Sequence, residues 1–304
     1  MLRIQSTHEL AAQLNVSEEL LLKLAISMRK HVRPFQQPKP DGGYRQFYAP
    51  SEKLKEIQRT INKRLLQPIP LPKEFHGGVP GRSTVTNATP HIRKALVAKV
   101  DIKDFYPSIH PRRVYKLFLS LGCSSDVSRV LTQLTTYEFQ LAQGFPTSTA
   151  IANLILAGFW PRIKGACKVN GITITDFIDD LALSGDTRVR RTLGLIRRIF
   201  KEEGFKLNPL KTKLMSRDEE QIVTGHSVNN RVNPPKGKVR EVKVLLQRWD
   251  TNGIDSVIAD KSVTEFIHHV QGRIAYIMQG NRNKGIHLLY KFRKLRDRDT
   301  NNKF

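Results

Sequence analysis

Cysteine is nearly absent: the 304 residues hold two, Cys123 and Cys167. They lie far apart and outside any Cys-x-x-Cys or Cys/His cluster, which excludes a disulfide framework and a zinc ribbon. Long hydrophobic runs are missing too. The stretch from Met1 to Glu9 lacks the apolar core of a signal peptide, and the longest apolar run, near Thr149 to Trp160, is too short to span a bilayer. A cytoplasmic location and no membrane partner are therefore expected. Acidic residues are the third scarcity, with 27 Asp plus Glu against 51 Lys plus Arg and a net charge of +24. With 39% apolar and 8% aromatic residues, that charge belongs to a folded surface and not to a disordered tail. Such a surface attracts polyanions, nucleic acid foremost through counterion release and acidic membrane second.

The length allows one large or two or three smaller structural units. Apolar residues recur at helical spacing from Thr7 to about His31 (Leu10, Leu14, then Leu20, Leu21, Leu24, Met28), and Asn15 and Ser17 split them into two short helices. Leu10 to Ser17 has the look of half a helix-turn-helix, but the next helix is apolar where a reading helix is polar. Pro34, Pro38, Pro40, Gly42 and Gly43 predict a loop, Tyr44–Tyr48 a strand, and Pro50-Ser51 the start of a helix through Leu66. Residues 67–82, with four prolines and Gly77-Gly78, predict an irregular connection. Ala95–Ile102 reads as a buried strand, Pro111–Leu121 as a helix and Ser148–Ile163 as a long apolar helix. Strands at Ile172–Thr175 and Leu181–Ser184 meet at residues 176–180. A helix over Thr187–Glu203 and short strands around Leu207 and Val223 follow. Residues 233–304 hold 15 Lys/Arg against 7 Asp/Glu and read as separate basic helices.

The chemistry centres on Asp101, at the end of the apolar strand Ala98-Lys99-Val100-Asp101, and on Asp179-Asp180, at the turn between two strands. Singly, such aspartates are ordinary. Together at adjoining strand ends, three carboxylates repel one another unless divalent cations neutralise them. Two Mg²⁺ ions about 4 Å apart would activate a 3′-hydroxyl and stabilise a leaving pyrophosphate. Tyr106, five residues beyond Asp101, can press on a sugar ring and exclude a ribose 2′-hydroxyl. Gln143-Gly144-Phe145-Pro146-Thr147-Ser148 precedes the long helix; Gly144 and Pro146 shape a tight approach, Gln143 can face a nucleotide, and Thr147 or Ser148 is expected to cap the helix.

These pieces resemble the reverse transcriptases over about residues 10 to 300. Val100-Asp101 through Tyr106 looks like motif A, Gln143-Gly144-Phe145-Pro146 like motif B, and Phe177-Ile178-Asp179-Asp180 like the Tyr-x-Asp-Asp box of motif C. Gly204 to Asn208 with Lys211-Thr212 resembles motif D, whose lysine protonates the leaving group. Arg45, in Arg45 to Ser51, matches the strand whose arginine holds the incoming triphosphate, a role its planar fork suits. Asn87-Ala88-Thr89-Pro90-His91 matches an Asn-Ala-x-x-His element and Val223-Thr224-Gly225 a Val-Thr-Gly triplet. Both point to the bacterial retron enzymes and to RNA contacts by Asn87, His91, Val223, Thr224 and Gly225. Three positions depart from the pattern: Phe177 for Tyr, Ile178 where retron enzymes usually have Ala, and Ala142 for the Pro before Gln143.

The resemblance implies an α+β right-hand polymerase: fingers, a palm of antiparallel sheet and packed helices, and a helical thumb. Its parts would be N-terminal helices 1–33, fingers 34–97, palm 98–113, fingers and palm helices 114–142, palm 143–232 and a basic helical thumb 233–304. Asp101, Asp179 and Asp180 with the Ile102 carbonyl would hold two Mg²⁺, for which Mn²⁺ can substitute. Implied partners are deoxynucleoside triphosphates, a structured noncoding RNA serving as template and primer, the nascent single-stranded DNA and a separate effector protein in antiphage defence. The expected product is RNA-linked single-stranded DNA. The alternatives are another bacterial reverse transcriptase (group II intron, diversity-generating or abortive-infection type), an idle RNA-binding scaffold, and an RNA-templated RNA polymerase, which Tyr106 disfavours. His268, His269 and His287 read as ordinary helix residues.

Overall fold

A computed structural model describes residues 2–39, 42–258, 260 and 262–301. Helices α1 (Thr7–Leu14) and α2 (Glu18–Ile26) divide where expected. Ser6 and Ser17 cap them, accepting from the Glu9 and Leu20 amides at 3.1 and 3.2 Å, and Asn15 closes α1 in the left-handed region. The proline-rich stretch expected as a loop is instead a strand, β1 (Val32–Pro38), antiparallel to β2 (Tyr44–Pro50). Pro34 and Pro38, four apart, aim their nitrogens at the same edge of a two-stranded ribbon, so an open edge absorbs the missing donors.

Next come α3 (Glu52–Ile61), ending in a π-turn over Asn62–Leu66, the irregular connection through 82, and α4 (Thr84–Ala88). The central stretch runs β3 (Leu96–Asp101), α5 (Phe105–Ser108), α6 (Pro111–Ser120), α7 (Ser125–Thr135), the hairpin β4 (Thr136–Tyr137) and β5 (Gln140–Leu141), then α8 (Ser148–Val169). It continues through β6 (Thr173–Phe177), β7 (Asp180–Gly185), α9 (Val189–Glu202), β8 (Lys213–Ser216), β9 (Ile222–Val223) and β10 (His226–Ser227). The chain closes on α10 (Lys236–Asn252), α11 (Asp255–Ile258), α12 (Val263–Gly280) and α13 (Arg282–Asn301). Among the described residues no helix is long and apolar enough to cross a membrane.

One antiparallel sheet, in the order β6-β7-β3-β8, organises the centre. Its register sets Asp101 opposite Asp180, Lys99 opposite Ala182 and Val97 opposite Ser184, so these six residues share one face. Leu96, Ala98, Val100, Leu181 and Leu183 occupy the other face and join the largest core, where Val189, Leu193, Ile196 and Phe200 of α9 cover them. The first face is capped by a small cluster of Ala88, Val97, Ala182, Val223 and Val228. Helices α10, α12 and α13 enclose a separate core around Trp249, whose ring lies edge-on to Phe266 and Phe292 and whose Nε1 donates to Asp299 at 2.7 Å.

Because that core is separate, Trp249→Ala is expected to cost about 3–5 kcal/mol of its packing while sparing the sheet. In hydrogen exchange, amides of residues 236–301 should lose protection while those of β3 and β7 keep it. Equal loss in both would show one cooperative core.

Candidate active site

The turn between β6 and β7 brings the carboxylates together. Phe177 pairs with Asp180, leaving Ile178 and Asp179 as a two-residue loop. Ile178 sits at φ 69°, a strained conformation for a β-branched residue at a position that favours glycine. A brace from the irregular connection holds it. His76 N–H donates to the Asp176 carbonyl and Asp176 N–H to the Glu74 carbonyl, each at 2.8 Å. Gly77 lies so close that a Cβ there would fall 2.7 Å from the Ile178 nitrogen and 2.8 Å from the Phe177 carbonyl carbon. The Ile102 N–H reaches the Asp179 carbonyl at 2.9 Å, tying the turn to the end of β3. Residues 74–77 are thus a part of the site that reading along the chain passed over as connection.

Charge is concentrated here. Burial, then the Asp180 carboxylate, pushes the Asp179 carboxyl up to about 6. Burial also raises Asp101, against the pull of Lys211, whose Nζ stands 3.6 Å from Asp101 Oδ1. Lys99 Nζ lies 3.0 Å from Asp180 Oδ2. Asn208 donates its backbone N–H to the Asp101 carbonyl at 2.7 Å. Asp176, opposite Leu181 in the register, points into the main core. Fully buried, its carboxyl is raised well above the ordinary carboxylate value, first by burial and then by Asp179.

Among the described residues no three His, Cys, Asp or Glu side chains stand close enough to hold a metal ion as they are. Two of the carboxylates are paired with lysines instead, Asp180 with Lys99 and Asp101 with Lys211. The donor set nonetheless fits a hard divalent cation: carboxylate oxygens at converging strand ends, one of them raised by burial and then by a repulsion that a cation would relieve.

A cleft of about 350 Å³ opens over this point. It gathers Arg45 from β2, Asp101, Ile102, Tyr106, Gln143, Asp179 and Lys211. Asp180 faces Lys99 beside it. Tyr106 is anchored through its hydroxyl, 3.0 Å from Thr149 Oγ1. Gly144, at φ 112°, is where the loop meets β2: a Cβ there would land 2.6 Å from the Tyr48 carbonyl oxygen, and the Tyr48 N–H donates to the Gln143 carbonyl at 2.8 Å. The glycine therefore fixes Gln143 to the strand that carries Arg45. Neither expected cap forms on α8. Thr147 Oγ1 is buried without a hydrogen bond, and Ser148 Oγ turns back to the Ala142 carbonyl at 2.6 Å.

The five expected RNA contacts divide. Asn87, His91 and Val223 are buried, and their side chains pack within the protein. His91 sits between Ser184 Oγ (2.7 Å) and Thr175 Oγ1 (2.8 Å), and burial pushes it down to about 3, so it is neutral. Asn87 donates to Thr224 Oγ1 at 3.3 Å, and Thr224 donates to the Thr84 carbonyl at 3.0 Å. These residues lock α4 to the β9–β10 turn. Half-buried Thr224 and Gly225 form that turn, with φ 43° and 80°, and the Tyr276 hydroxyl of α12 donates to the Gly225 carbonyl. The triplet thus docks the C-terminal helices on the sheet.

Residues 37–246 match the family described as reverse transcriptase (RNA-dependent DNA polymerase). The chain is 32% identical over 301 residues to the Retron Mx65 reverse transcriptase of Myxococcus xanthus, covering 91% of this chain and 69% of that protein. It is 28% identical over 280 residues to the Retron Ec86 reverse transcriptase of Escherichia coli, covering 90% and 84%. Among solved structures it aligns with a foamy viral protease-reverse transcriptase in complex with double-stranded DNA at 17% identity and a TM-score of 0.47, over 81% of this chain and 36% of that one. The chain belongs to the reverse transcriptases, and within them to the bacterial retron enzymes. It is an RNA-directed DNA polymerase with the α+β right-hand fold, of a family that uses divalent metal ions.

The raised Asp179 carboxyl makes folding pH-dependent. The folded state binds its proton more tightly than the unfolded chain, so stability falls as pH rises from about 4 to about 6. Asp179→Asn is therefore expected to stabilise the metal-free protein at pH 7.5, by at most about 3 kcal/mol, with the gain shrinking towards zero near pH 4. Urea titrations in chelator across that range check this. A gain independent of pH would contradict the assignment.

Proposed function

We propose that this retron reverse transcriptase binds a cognate structured noncoding RNA and copies part of it into single-stranded DNA that stays linked to the RNA. The observation that carries the reading is the convergence of Arg45, Tyr106, Gln143 and Lys211 on the cleft that holds Asp101 and Asp179. Fingers would comprise the β1–β2 ribbon and residues 34–97, palm the central sheet with its helices, and thumb residues 233–304. The N-terminal helices would buttress the fingers.

In this reading Asp101, Asp179 and the Ile102 carbonyl would hold two divalent ions, with Asp180 assisting on leaving Lys99. Bound Mg²⁺ would lower the pKa of the primer hydroxyl and neutralise charge on the pyrophosphate. Arg45 grips the triphosphate with its guanidinium fork. Gln143 lies against the nucleotide, and the Tyr106 ring excludes a 2′-hydroxyl. As the hydroxyl oxygen bonds to the α-phosphorus and the bond to pyrophosphate breaks, Lys211 gives a proton to the leaving group. Thr224 and Gly225 remain the candidate RNA contacts of the triplet. The enzyme would act in the bacterial cytoplasm beside a separate effector protein in antiphage defence.

Protein purified from cells carrying its native flanking DNA should yield a DNA band that shortens after RNase treatment on a denaturing gel. Asp179→Asn should abolish the band, a loss of at least a thousandfold in synthesis, while RNA still copurifies. RNA without linked DNA would remove the retron product, and synthesis retained by the variant would remove the two-metal roles. Tyr106→Ala should raise ribonucleotide incorporation by at least tenfold in primer extension. Unchanged sugar selection would refute the gate.

A further inference from the structure

The solvent face of α9 carries a stripe of positive charge that the catalytic cleft does not use. Arg190, Arg191, Arg197, Arg198 and Lys201 are exposed and recur at helical spacing on the side opposite Val189, Leu193, Ile196 and Phe200. None of the five has an ion pair among the described residues, whereas neighbouring acids are already engaged. Glu202 and Glu203 are held by Arg162, and Asp186 by Arg188. The basic face is therefore not neutralised locally. Gly194 lies on the same exposed face with nothing within 4 Å of a Cβ, leaving the helix backbone open to close approach.

Its position excludes a template–primer held at the carboxylates. Asp101, Asp180 and Lys99 lie on one face of the sheet; α9 packs on the other, and its arginines point away from that face again. A helix about 10 Å across and the sheet itself separate the two surfaces. We propose that α9 is a second nucleic-acid site, binding the phosphate backbone of RNA that lies outside the cleft. Four of the five cations are arginines, whose forks pair phosphate oxygens bidentately, and the stripe runs about 16 Å from Arg190 to Lys201, long enough to follow several phosphates. A membrane surface fits less well, because the apolar face such a helix would insert is already buried on the sheet. The site holds RNA by charge and shape, without reading bases.

The test uses the full chain with its cleft filled by a template–primer ending in a dideoxynucleotide, plus the next complementary triphosphate and Mg²⁺. A fluorescein-labelled 20-base-pair RNA hairpin is titrated by anisotropy at several salt concentrations. Wild type should bind the hairpin on top of the occupied cleft. Replacing Arg190, Arg191, Arg197 and Arg198 by Gln should weaken hairpin binding at least tenfold and lower the slope of log affinity against log salt by about 3. Primer extension on a short template should keep its rate. The fourfold Arg→Lys variant should keep most of the slope. The pair Arg197→Gln, Arg198→Gln should lose about half of it, which serves if the fourfold Gln variant folds poorly. Hairpin affinity unchanged by the Gln substitutions overturns the proposal, as does one-for-one displacement of the hairpin by the blocked template–primer. Loss of binding to phosphatidylserine vesicles with RNA binding intact assigns the stripe to membrane and also overturns it.

Discussion

Like-charge repulsion at the end of one β-sheet is the constraint on which the rest of the structure depends. Asp101, Asp179 and Asp180 converge because the register makes Asp101 and Asp180 neighbours and a two-residue turn adds Asp179. Burial and then this repulsion lift Asp179 to about 6, while Asp180 and Asp101 lean on lysines. The surroundings oppose further relaxation. The Glu74–Gly77 brace pins the turn from one side, the Ile102–Asp179 hydrogen bond from the other, and Asn208 holds the end of β3. Ile178, strained in the left-handed region, persists because these contacts over-determine it.

The second organising feature is backbone contact at glycines. Gly144 lets the loop before α8 touch β2, so the arginine that reaches the cleft and the glutamine opposite it are set by one hydrogen bond between main chains. Gly225 does the same for the C-terminal helices, since Tyr276 occupies the space its Cβ would fill. The helical unit around Trp249 keeps its own core, and its joint with the sheet includes this docking at one turn. The His226 ring stacked on Tyr276 and the Asn281–Asn233 hydrogen bond add to that joint.

Much of the site was legible in the sequence because its chemistry is local. An apolar strand ending in Asp, a paired Asp at a turn, and a Gln-Gly before a long helix each announce themselves within a few residues, and the fold brings them to one cleft. What escaped depends on pairing across distance. Strand β1 was hidden by prolines that only an open edge tolerates, and β8 is four residues held by β3 more than by any pattern of its own. The brace at 74–77 has no periodicity. Asn87 and His91 are marked by their resemblance to a short family element, which says nothing of burial, and each is buried with partners 84 to 137 positions away. No window along the chain shows such a partner.

Asp176 extends the constraint beneath the surface. An ionised carboxylate at that depth would add a fourth negative charge under the other three. Taking up a proton removes that charge and leaves a compact polar group among Leu181, Leu183 and their neighbours. The raised pKa of Asp176 is therefore partly a consequence of the site above it, since Asp179 and Asp180 both push in the same direction as burial. Any cation that neutralised the upper carboxylates would weaken that push and lower the Asp176 pKa, while burial alone would still oppose ionisation. The acidic cluster thus has two layers, an outer one whose oxygens suit a hard cation and an inner one whose charged form the core opposes.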